Sequence, residues 1–419
     1  MSDAITAERL ARLRARIGIA QPHPQPPWYR RPGSDAFRHV SEACGDDNPL
    51  WCDPDYGSST VWDGPIASPN MNGGDTLIGV NEVTTLDDDT KALLKGDPLK
   101  GAHAYYAGSF REWWAPVRPE MAITRRNALV GVHDKSSDFA ERTVHEWTGE
   151  VFATPEQPLS AQYRLMIRTD REKVAAKSKA SPANEIEITP YSDDQLAEID
   201  AAYGGEKARR RGAEPRWFED VEEGDELDGL VKGPMRVTDI IVWHTGMGMG
   251  LYGVKALRLA YEQRQRVPGF FRPDALNIPD VHQRVHWDPE WAARAGNPAT
   301  YDYGRMRETW LVHLCTDWMG DDAWLWKLDV EFRKFNYVGD THWMKGRVTR
   351  KYLAEDDRPA VDLEVWGENQ RGAVTCPGHA TVLLPSRQHG PVRLPEAPGG
   401  ARTCAETLKA LVTRFDDPS

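Results

Sequence analysis

Residues 51–57 read Trp-Cys-Asp-Pro-Asp-Tyr-Gly, and residues 286–292 read His-Trp-Asp-Pro-Glu-Trp-Ala. Both follow one pattern: a variable residue, a spacer, Asp-Pro, an acid, an aromatic and a small residue. The variable residue is the indole of Trp51 in the first copy and the titratable imidazole of His286 in the second. An element written twice with one chemical letter changed predicts a duplicated fold, with one copy kept for chemistry and the other for shape.

The echo extends outward from these two stretches. Val361, Leu363 and Val365 alternate with Asp362 and Glu364, the period of a half-buried strand. Residues 346–353 form a further strand, 354–359 and 367–372 are turns, and a last strand runs through 380–387. In the first half, 149–155 echoes 372–377 and 161–168 echoes 380–387, each of the latter pair ending in arginine. Each half is therefore expected to be a meander of long antiparallel strands. The expected units are 1–168 and 213–390, joined by a polar linker over 169–212 and followed by a loose tail over 391–419 with one short helix. Ser192 is placed to cap a helix in the linker, and the basic run 207–212 reads as a solvated connector.

At 419 residues the chain exceeds what one core usually serves. No apolar run approaches the roughly 18 residues that span a bilayer, and the N-terminus lacks the form of a signal peptide. Five cysteines with no Cys-x-x-Cys pair argue against a disulfide framework or a structural zinc site. A cytoplasmic protein is the expectation. The net charge of −12 leaves no electrostatic footprint for nucleic acid or an anionic membrane. Of the 16 tryptophans, many fall in 310–343, which reads as core packing or as an aromatic-lined cavity.

Gly45-Asp46-Asp47-Asn48-Pro49-Leu50-Trp51, followed by Asp53-Pro54-Asp55-Tyr56, resembles the hydratase motif of MaoC-like, R-specific enoyl-CoA hydratases. Residues 217–225 resemble the opening of such domains, and Val338-Gly339-Asp340 the turn before their later strands. The resemblance covers nearly the whole chain as two consecutive copies. It implies an α+β, tandem double hot-dog architecture, each long antiparallel sheet wrapped around a central helix. The activity it implies is reversible addition of water to a 2-enoyl-CoA, giving a 3-hydroxyacyl-CoA. Coenzyme A enters only as part of the substrate, and no metal or redox cofactor is implied. The chain is expected to be a homo-oligomer, with a heteromeric partner as the alternative. In that family an aspartate and a histidine hold water against C3, and amides at a helix start polarise the thioester carbonyl.

Both copies depart from the motif. The first keeps Asp46 and Asn48 but has Trp51 at the histidine position. The second keeps His286 but has Val281 at the aspartate position, with Asp280 one place earlier. Met247 stands where Asp46 falls, at the end of a helix leading into the motif, and an insertion separates it from Val281. His286 is the expected base, Asp280 its expected partner across the insertion, and Asp46 a third catalytic candidate. Gly304, at the start of a helix with Met306, Trp310 and Leu314 on one face, is the expected amide donor, with Tyr303 and Asn48 as substrate-binding candidates. The plainer alternatives are a partly buried loop histidine for His286, a turn residue for Asp280, and a relic for Asp46. A helix over 251–264 in the insertion would roof a tunnel, present cations to phosphates, or brace the fold. A hot-dog thioesterase and a non-catalytic acyl-binding subunit are the rival functions.

Overall fold

The computed structural model describes residues 5–22, 25–73, 77–137, 141–170, 189–248, 254–295 and 297–416. The long strands of the first half are β2 (Ala102–Trp113), β3 (Thr124–Ser137), β4 (Glu141–Ala153) and β5 (Pro158–Asp170). Those of the second are β9 (Trp324–Glu331), β10 (His342–Ala354), β11 (Arg358–Asn369) and β12 (Val374–Leu383). With the short strands β1 (Val80–Asn81) and β6 (Leu230–Lys232) they make one ten-stranded sheet, ordered β1-β3-β4-β5-β2-β9-β12-β11-β10-β6. Strands β7 (Phe271–Pro273) and β8 (Pro279–Val281) form a separate ribbon.

The two halves meet edge to edge where β2 pairs antiparallel with β9, Gly108–Glu112 lying opposite Glu331–Lys327. Gly108 is required at this seam. A Cβ there would sit 2.7 Å from the carbonyl oxygen of Val330, so only glycine lets the two backbones approach.

In the second half the alternation behaves as expected. Val361, Leu363 and Val365 are fully buried against the central helix Gly304–Met319. That helix is buried on every side: each residue from Arg305 to Met319 is shielded, including Arg307, Glu308, His313 and Asp317. Charges so placed must be paired or the fold is strongly destabilised. Arg307 Nε lies 2.8 Å from Asp302. Glu308 crosses to the first half, where the Arg111 guanidinium and the Ser109 hydroxyl on β2 both donate to it.

The first half differs. In the segment corresponding to the central helix, the described residues form only a kinked 3-10 stretch, Pro69–Gly73. The sheet face beneath it carries Arg111, Arg125, Glu150 and Gln162, all buried. Its opposite face is apolar, with Val151, Ala161 and Tyr163 packed under the closing helix Cys404–Asp416. Residues 391–416 are thus no loose tail: Cys404, Leu408 and Leu411 are buried against the first half. Ser192 caps Asp193–Gly204 in a reciprocal capping box with Gln195, as expected.

Arg111→Met, which strands the Glu308 carboxylate, is expected to lower unfolding free energy by about 3–5 kcal/mol. Arg111→Met combined with Glu308→Leu should recover most of that loss, read by urea denaturation.

Candidate functional site

The repeated Asp-Pro is, in both copies, a helix start. Asp288 caps Pro289–Arg294 by accepting from the Trp291 amide at 3.0 Å, and Asp53 accepts from Asp55 and Tyr56 at 3.0 and 3.4 Å. The proline fills the first helical position, where no amide is needed. Each cap fixes the turn just before it, which presents His286 in one copy and Trp51 in the other.

His286 closes the 3-10 turn His282–His286 and is 8% exposed. Its Nδ1 lies 2.8 Å from the Tyr301 carbonyl oxygen, which can only accept. Nδ1 therefore carries the proton, and the neutral ring keeps a lone pair on Nε2. The ring packs on Tyr303, centroids 3.9 Å apart, and Tyr303 stacks in turn on Trp243. Burial pushes the imidazole down to about 4; the rings of His244 and His282 act the same way, and the Tyr301 carbonyl acts against them.

Tyr303 is the N-cap of the central helix and places no side chain on its amides. Gly304 begins the helix with its α-carbon under the Phe332 ring, which a Cβ would meet at 3.3 Å. His286, Tyr303 and Gly304 are thus brought together at the positive end of the buried helix.

Asp280 is not brought there. Its side chain is 47% exposed, accepts from the Val281 amide at 2.7 Å, and lies 3.9 Å from Arg284. Arg284 is buried over the Trp291 ring, donates to the Pro273 carbonyl, and draws Asp280 and Asp288 toward itself. The ribbon thus spends the Asp280 carboxylate on its own ion pair, and the expected Asp280–His286 couple does not form.

The lead-in helices also revise an alignment. Ser34–Ala43 and Val237–Gly246 have equal length, and each is followed by a positive-φ glycine, Gly45 and Gly248. The counterpart of Asp46 is thus Met249, outside the described residues, and not Met247. The helix expected over 251–264 begins only at Leu257: residues 254–256 are irregular, with Ala256 at the N-cap, and 251–253 lie outside the described residues. The observed helix, Leu257–Arg266, turns Leu257, Leu259 and Tyr261 outward.

In the first copy Asp46 is fully buried. It accepts from the Asn48 amide at 2.9 Å and from Trp51 Nε1 at 3.1 Å. The indole ties up the carboxylate that an imidazole would share. Asn48 caps Pro49–Cys52 through Leu50, so its side-chain oxygen serves the backbone. Beneath Trp51 lies an apolar cavity between Trp62, Trp113, Met319 and Trp324. Its volume is about 10 Å³, room for about one water molecule.

Behind Asp46 sits a cluster that sequence reading missed. His313 Nε2 lies 3.6 Å from Asp46 and 3.2 Å from Asp317, and Lys232 Nζ lies 2.9 Å from His313 Nδ1. Arg210, buried and not the solvated connector expected of 207–212, bridges Asp317 at 2.9 Å and Asp47 at 2.7 Å. Burial alone would raise the Asp317 carboxyl; His313 and Arg210 hold it below the usual range. Asp46, His313 and Asp317 are close enough to hold a cation. The Lys232 ammonium, however, donates into Nδ1 and leaves the ring proton on Nε2, the atom a metal would need. The arrangement is that of a closed ion network. Spacing of four between His313 and Asp317 was the available signal, masked by the apolar face at Met306, Trp310 and Leu314.

A solved structure named MaoC-like dehydratase superposes with a TM-score of 0.56 at 15% identity, covering 88% of this chain and 99% of that one. A putative MaoC domain protein dehydratase from Chloroflexus aurantiacus J-10-fl gives 0.51 at 12% identity, covering 89% and 96%. The chain is a double hot dog. Its likeness to both MaoC-like proteins is one of fold along nearly their full length. No family profile matches the sequence, and no curated protein sequence matches it significantly. Among the described residues no helix is long and apolar enough to cross a membrane.

Between pH 4 and 6.5 the folded state, with His286 neutral, binds fewer protons than the unfolded chain. Stability is therefore expected to fall as pH drops through that window, by an order of 3 kcal/mol from this ring. His342, pushed by burial to about 3, adds to the same trend. His286→Gln should flatten the slope of unfolding free energy against pH; an unchanged slope would show that the ring is not held neutral.

Proposed function

We propose that this chain is a hydratase or dehydratase of an acyl-CoA thioester, with His286 as its acid–base group. The observation that carries this reading is the neutral imidazole, fixed through Nδ1 by Tyr301, beside the uncapped start of the central helix. Nε2 takes a proton from water as the oxygen attacks C3 of a 2-enoyl thioester. The enolate oxygen accepts from the first helix amides near Gly304, where the helix dipole favours negative charge. The imidazolium then returns its proton to C2, which balances the addition of water. One positioned group of this kind contributes roughly 10²–10⁴-fold. Asp280, on Arg284, and Asp46, under Trp51, have no part in the step, and Asn48 serves as a cap.

Among the described residues no carboxylate pairs with His286, which favours a second reading, a non-catalytic acyl-thioester-binding subunit completed by another polypeptide.

Purified protein mixed with hexenoyl-CoA should consume the conjugated thioester without releasing free thiol, and His286→Ala should reduce the rate at least about a hundredfold while folding normally. The acid limb of kcat/KM should lie near pH 4 rather than 6.5, because the base is protonated only there. Release of free coenzyme A would mark a thioesterase. No turnover until a second polypeptide is added would establish the non-catalytic reading.

A further inference from the structure

The concave face of the first half carries a polar row, beside Trp113 and Phe152, where a hot dog normally packs apolar side chains on its helix. Arg111 on β2 lies opposite Gln162 on β5, and Gln162 lies opposite Glu150 on β4. Cross-strand partners share a face, and Arg111 reaches Glu308 of the central helix, so this row points inward. Ser160, two residues before Gln162, is the cross-strand partner of Trp113, which lines the cavity under Trp51. Asn72 borders the same cavity, and its backbone carbonyl accepts from Arg111 at 3.2 Å.

Among the described residues, three of these side chains hold polar atoms that no protein group pairs. Gln162, 1% exposed, has neither its carbonyl nor its amide nitrogen paired; the Ser160 hydroxyl and the Asn72 side-chain oxygen are likewise buried and unpaired. Buried polar groups are otherwise almost always satisfied, and an unsatisfied one destabilises the fold. An apolar residue at these positions would suit a purely structural face.

The charges nearby are matched, Arg111 with Glu308 and Arg125 with Glu150 at 3.1 Å. A ligand carboxylate would therefore stand as an uncompensated buried charge. A neutral group that both donates and accepts meets no such cost. Glu308 is one helical turn from Gly304, about 6 Å along the axis, so the face lies close to the candidate site.

We infer that Asn72, Ser160 and Gln162 form a polar subsite for a hydroxyl carried on the acyl chain. This rests on the reading of the protein as one that binds acyl thioesters. The substrate class is an acyl-CoA with a hydroxyl-bearing tail. Plain hydrocarbon chains and dicarboxylic half-thioesters fit less well.

The test is equilibrium binding to the full chain, followed by quenching of its tryptophan fluorescence. Butanoyl- to decanoyl-CoA are each compared with their ω-hydroxy and ω-carboxy derivatives. At the best length the ω-hydroxy member should bind at least about tenfold tighter than the unsubstituted one, the worth of one hydrogen bond, and the ω-carboxy member weakest. Gln162→Leu should abolish or invert that preference without lowering the unfolding midpoint, since it removes unsatisfied atoms; Ser160→Ala serves as the milder second variant. Equal or tighter binding of the unsubstituted chain, or tightest binding of the ω-carboxy chain, overturns the inference while leaving the proposed function standing. Failure of every member to bind overturns both.

Discussion

A helix buried on all sides yet carrying charges of both signs is the constraint around which this molecule is arranged. Gly304–Met319 belongs by sequence to the second half, but its ion partners come from across the chain. Glu308 takes Arg111 from β2, Asp317 takes Arg210 from the segment between the halves, and His313 meets Asp46 and Lys232. Each pair would be costly to break and contributes little net stability over an apolar equivalent. Together they constrain where the helix sits, because shifting it would strand a buried charge. Among the described residues, this helix thereby serves both halves of the sheet across the β2–β9 seam.

That arrangement explains why the two motif copies have diverged. In the second copy, the helix start is free of side-chain caps, and a neutral imidazole stands beside it. In the first, no long helix among the described residues offers such an end, and Trp51 replaces the imidazole and engages Asp46 directly. The repeated Asp-Pro caps a helix in both copies. It thus marks the position of the site and not its chemistry.

The inversion of polarity in the first half follows from the same cause. With no long apolar helix to cover among the described residues, its inner face need not be apolar, and its outer face instead receives the closing helix through Cys404, Leu408 and Leu411. A sheet with its greasy side outward is stable only because the end of the chain returns to cover it.

Period-two alternation at 361–365, the Asp-Pro caps and the Ser192 box act over a few residues, so the amino-acid order alone specified the strands, the duplication and the position of His286. Whether Asp280 reaches His286 depended on Arg284 and the ribbon β7–β8, a competition between ion pairs that no spacing records. The approach of His313, Asp317 and Arg210 to Asp46, and the row from Arg111 to Glu150, join residues far apart in the chain. Such contacts are set by how helix and sheet pack, because burial decides which charges must find each other and only the folded chain decides which are within reach.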